Sequence, residues 1–133
     1  MPTFAPGTLD TEKVIVKTFT LNPVQNAGTY DIATATSGDI WIRAAKVYTG
    51  TAITGLTSIA IQTNMTSPTS LMTSTEGLLA GLTADKVITT AFSGPTLLSS
   101  TKKLQYTIVG TGSAGTMKLV VEYMKTVAGA DLV

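Results

Sequence analysis

The sequence predicts an all-β fold: a single antiparallel β-sandwich, jelly-roll-like, of about 7–8 strands with at most one short helix near residues 74–80. Three observations point there. Segments of strand length recur along the chain, either alternating apolar with polar side chains or running β-branched. Turns bearing Gly, Pro, Asn and Asp separate them, and no parallel βαβ rhythm is present. Thr makes up about a fifth of the chain while charged residues are only 13%, a balance that favours strands over helices. With 133 residues and 44% hydrophobic content, one domain around one core is expected. It spans residues 13–126, between an N-terminal arm over 1–12 and a C-terminal extension over 127–133, either of which could cover a neighbouring subunit.

Lys13 to Leu21, KVIVKTFTL, carries Val14 and Val16 on one face and Ile15 and Phe19 on the other, which reads as a strand covered on both sides. After Asn22-Pro23 and Asn26-Ala27-Gly28, the segment Thr29 to Ala35 points Tyr30 and Ile32 one way and Asp31 the other. Ile40 to Thr49 breaks strict alternation. A β-bulge at Ala44-Ala45 restores it, placing Ile40, Ile42 and Val47 on one face and Trp41, Arg43, Lys46 and Tyr48 on the other. Leu56 to Thr63 alternates again, with Ile59 and Ile61 inward. Between Asn64 and Asp85 the period changes to helical spacing, and Thr73 with Glu76 fits a capping box, predicting a short helix over Ser74 to Ala80. Lys86 to Ser93 reads as a strand and Thr96 to Thr101 as a linker.

The strongest pattern comes last. In LQYTIV, Leu104, Tyr106 and Ile108 share a face, and in TMKLVVEYM so do Met117, Leu119, Val121 and Tyr123. The small-residue stretch TGSAG between them suggests a β-hairpin with a loop from Thr111 to Ala114 and Ile108 opposite Met117.

Composition excludes more chemistry than it supplies. The chain has no His and no Cys, so a Ser-His-Asp triad, a Cys-His pair and the common zinc sites are impossible. Catalysis is not expected; the candidates for paired-carboxylate work, Asp31, Asp39, Glu76, Asp85 and Glu122, read as solvated turn and strand-end positions. Calcium at Asp31 and Asp39 lacks EF-hand spacing, and GTGSAG at Gly110 to Gly115 joins two strands where a phosphate loop would open a helix. No cofactor and no metal are expected. A net charge of +1 without a basic cluster argues against nucleic acid as partner. No apolar run reaches membrane-span length and no basic-apolar leader opens the chain, so neither a membrane nor a cleaved export signal is expected. Trp41, Arg43, Lys46 and Tyr48 form the candidate interface, since Trp, Tyr and Arg are enriched at binding hot spots; the competing reading puts Trp41 in the core.

The run from Gly28 to Asn64, GTYDIATATSGDIWIRAAKVYTGTAITGLTSIAIQTN, with its small-residue turns and short strands, resembles auxiliary head proteins of tailed bacteriophages, as does the closing LVVEYM. These are decoration, or cement, proteins of jelly-roll or related β-sandwich type. The resemblance implies a non-enzymatic structural protein of the virion that binds the outside of the capsid and reinforces it, with the major capsid protein and its own copies, preferably as a homotrimer, as partners. It transfers no site residue. A tail or head-tail connector subunit, and a carbohydrate- or receptor-binding module, stay open as alternatives.

Overall fold

The computed structural model describes residues 13–133; the expected arm, residues 1–12, lies outside them. The fold is a sandwich of two antiparallel sheets. Its strands are β1 (Ile15–Leu21), β2 (Gly28–Thr36), β3 (Ile40–Thr49), β4 (Thr54–Thr63), β5 (Ser70–Met72), β6 (Val87–Ile88), β7 (Thr96–Leu98), β8 (Lys103–Ala114), β9 (Met117–Lys125) and β10 (Asp131–Leu132). One sheet runs β1-β9-β3-β6, with β7 also on β3; the other runs β10-β2-β8-β4-β5.

The pairs β1–β9, β2–β8, β3–β6/β7 and β4–β5 are nested within one another. The chain is therefore one long antiparallel ribbon doubled back on itself. Rolling that ribbon brings β9 onto β3 and β8 onto β4, which is the jelly-roll order.

This order corrects the expected hairpin. β8 and β9 are consecutive but lie in opposite sheets, and Ile108 pairs with Gly28 and Ile59, not with Met117. The chain crosses between layers at Gly115-Thr116, where Thr116 exchanges backbone hydrogen bonds with Gly50 and Thr51. Alternation identified the buried faces correctly: Leu104, Tyr106, Ile108, Met117, Leu119, Val121 and Tyr123 are all in the core. A face that points inward packs equally well against a partner in its own sheet or across a sandwich.

The predicted helix over 74–80 is also corrected: only a 3₁₀ turn forms, at Leu79–Gly81. The capping box is present, since the Glu76 amide donates to Thr73 Oγ1 at 3.2 Å and the Thr73 amide to Glu76 Oε1 at 2.9 Å. After one turn the backbone turns to β4 instead, with the Ile59 amide donating to the Gly77 carbonyl at 2.9 Å. Gly77 permits this approach, because a Cβ there would lie 1.8 Å from the Ile59 carbonyl oxygen.

Lys86 to Ser93 pairs only over Val87–Ile88, and the expected linker contains β7. The C-terminal extension over 127–133 folds back as β10 onto Thr36 and Ala35 of β2, with Ala130 and Leu132 fully buried. It completes its own sheet, while Val127 and Val133 stay exposed.

Candidate interface on the outer face of one sheet

β3 carries the four residues of the predicted stripe. Ile42 pairs with Tyr123 and Ala44 with Glu122, so the bulge places its extra residue at Arg43, one position before the predicted Ala44-Ala45. The faces sort as the sequence suggests: Ile40, Ile42 and Val47 are buried, Trp41, Arg43 and Lys46 are exposed, and Tyr48 is half-buried. Trp41 is 42% exposed, which removes the core reading for its ring. Arg43, the extra residue, lines the depression beside Gly94 and Pro95.

The neighbouring strands complete the surface. β9 alternates Lys118, Val120, Glu122 and Met124 outward between its core residues, and β1 presents Val16 opposite Glu122 and Thr18 opposite Val120. Val87, opposite Tyr48, is 51% exposed and Val16 is 58% exposed. The sequence reading of β1 as covered on both faces is thereby corrected, because Val14 and Val16 lie open. A depression of about 430 Å³ is lined by Trp41, Arg43, Gly94, Pro95, Met124 and Lys125. Its floor is set by close backbone approach: a Cβ on Gly94 would lie 2.3 Å from the Arg43 carbonyl oxygen. A smaller hollow of about 140 Å³ lies between Ala44, Lys46, Tyr48, Val120 and Glu122.

The outer face of the other sheet is chemically different. Thr29 and Thr107 share a hydroxyl hydrogen bond of 2.9 Å. Asp31 accepts from Lys103 Nζ at 2.6 Å and from Gln105 Nε2 at 2.8 Å, and these two donors hold its carboxyl below the ordinary carboxylate range. Gln62 stands opposite Gln105. That face carries a ladder of polar groups, several of which satisfy one another, with Val109 exposed beyond it on β8.

The remaining carboxylates are mostly consumed by the fold. Asp39 accepts the Ser100 amide at 2.8 Å. Glu76 accepts the Thr73 and Ala91 amides; burial alone would raise its pKa, and those amides bring it below the usual value. Asp131 accepts the Tyr123 hydroxyl at 2.5 Å, the Leu132 amide at 2.8 Å and Lys17 Nζ at 3.1 Å. Partial burial opposes its ionisation, yet the three donors hold its carboxyl down to about 2, while burial first and the hydrogen bond to Asp131 second push the Tyr123 hydroxyl up. Asp31 and Glu122 project from opposite layers of the sandwich. Among the described residues no three acidic, His or Cys side chains gather as a metal site.

The sequence reading missed Val16, Val87, Val120 and Met124 as companions of the stripe. The signal for β1 and β9 was present as apolar side chains on both faces, but it reads identically for a buried strand and for one with a sticky outer face. No family model, curated protein or solved structure matches the chain.

Proposed function

We propose that this chain is a structural, non-enzymatic virion protein that binds the outer surface of a tailed-phage capsid and stabilises it, assembling as a homo-oligomer with the trimer preferred. The observation that carries the reading is the asymmetry of the sandwich. One outer face is largely a hydrogen-bonded polar ladder, with Val109 exposed beside it; the other exposes Trp41, Val16 and Val87 among cations, the composition of a face that meets protein. A jelly roll with one wet and one adhesive face is suited to lying on a shell. The resemblance of residues 28–64 to phage head proteins supplies the shell as its target, and the low charged fraction of 13% fits a chain with covered surface. The trimer rests on that analogy and on the abundance of threefold sites on icosahedral shells.

Counting copies in purified virions tests the proposal. Decoration of a shell requires on the order of hundreds of copies, set by its repeated lattice sites, and shells stripped of the protein should rupture at a lower temperature. A count of a few to some dozens would assign the chain to a tail or connector instead.

A further inference from the structure

From its charge and relief, we infer that the outer face of the β1-β9-β3-β6 sheet docks a protein segment that presents carboxylates among apolar side chains. An apolar residue of that segment enters the Trp41 depression, and its carboxylates pair with Arg43, Lys46, Lys118 and Lys125. The inference rests on the shell-binding reading only for which protein carries the segment.

The charge argument is an inventory. Arg43, Lys46 and Lys118 project from this face and Lys125 lines the depression, against one carboxylate, Glu122, on strands β1, β9 and β3 among the described residues. None of the four cations makes an ion pair or side-chain hydrogen bond with another described residue. Asp31, Asp39, Glu76 and Asp131 are all held by donors of the fold elsewhere. The face thus keeps more cations than carboxylates beside exposed Trp41, Val16 and Val87, and a carboxylate-bearing apolar partner satisfies both.

The same inventory argues against a second copy laid face to face. Two such faces would set three or more uncompensated cations against their like, a repulsion that separates copies at low salt. Nucleic acid would gain the charges but leave the valines and the Trp41 depression unfilled. A polar glycan would leave the cations unpaired. The relief agrees with a protein anchor, because Trp41, Pro95 and Met124 give the depression apolar walls while Arg43 and Lys125 stand beside them.

The test uses the full chain with a soluble, labelled peptide of alternating Glu and Leu as probe, and Lys-Leu and Glu-Ser peptides as comparators. In low salt the Glu-Leu peptide should bind at least about tenfold more tightly than either comparator. Lys46→Glu/Lys118→Glu and Trp41→Ala should each weaken it by on the order of tenfold while shifting the melting temperature by no more than about 5 °C, and Thr29→Ala on the opposite face should leave it unchanged. Equal binding of the Lys-Leu peptide, no binding of the Glu-Leu peptide, or unaltered binding by the charge-reversed chain would overturn the inference. So would a wild-type dimer in sedimentation that Lys46→Glu/Lys118→Glu dissociates, which would give the face to a second copy. A second arm uses purified shells. Shells that take up wild type and the charge-reversed chain alike would overturn this inference and leave the shell-binding reading standing. The peptide pattern without any uptake by shells would do the reverse.

Discussion

Asp131 ties the last strand to the core through three donors, and that makes acid the natural way to release it. Its folded carboxyl titrates at about 2, whereas an unfolded aspartate titrates at about 3.9. On acidification the unfolded chain therefore takes up the proton first, so stability that is fully present above about pH 4 is lost as pH falls toward 2. Asp131→Asn should cost about 1–2 kcal/mol at neutral pH, discounted for a side chain that is 34% exposed, and should flatten the acid limb of a denaturation series between those pH values. An unchanged acid limb would mean that the Tyr123 and Lys17 contacts carry no stability. Residues of the outer face should behave in the opposite way. Trp41→Ala, Arg43→Ala and Tyr48→Ala are predicted to change folding stability by no more than about 0.5–1 kcal/mol, read by thermal melts, because their side chains leave the sheet away from the core. The faces of Trp41, Arg43, Lys46 and Tyr48 were legible because Ile40, Ile42 and Val47 had to be buried together. The position of the bulge was not, since an extra residue at Arg43 or at Ala44 gives the same inward set.

At the scale of elements, period was legible and pairing was not. Tyr106 and Val121 announce their buried faces by alternation, but nothing local distinguishes a hairpin from two strands that cross the sandwich, and β8 and β9 do the latter. Thr73 and Glu76 announce a helix start that is real, and the helix ends because Gly77 gives its carbonyl to Ile59 of β4. Gly77→Ala should therefore destabilise the fold by about 2–4 kcal/mol through the clash of its Cβ with the Ile59 carbonyl oxygen, although alanine is the better helix former; a stabilised Gly77→Ala chain would mean the segment is helical in solution. β10 escaped notice because a two-residue strand carries no period. Its burial makes a direct prediction: Leu132→Ala should cost about 2–4 kcal/mol in urea unfolding. An extension that served only a neighbour would leave the isolated chain's stability untouched.

For the whole molecule, the nested ribbon pairs Ile15 with Tyr123, so the first sheet closes only when the two ends of the described chain meet. Such non-local pairing predicts folding on a timescale of about milliseconds to seconds, measurable by stopped-flow refolding. Rolling the ribbon also underlies the proposed function, because it gives the molecule two outer faces of unlike chemistry on opposite sides of one core. The polar ladder of Thr29, Asp31, Gln105 and Thr107 suits solvent, and the surface around Trp41, Val16, Val120 and Lys118 suits a protein partner. A cryo-electron-microscopy reconstruction of capsids carrying the protein shows which of the two faces meets the shell. The predicted result is the sandwich on the shell exterior with the β1-β9-β3-β6 sheet against the capsid and Thr107 facing solvent. Density on the tail alone, or a shell contact made through the Thr29 and Gln105 face, would contradict it.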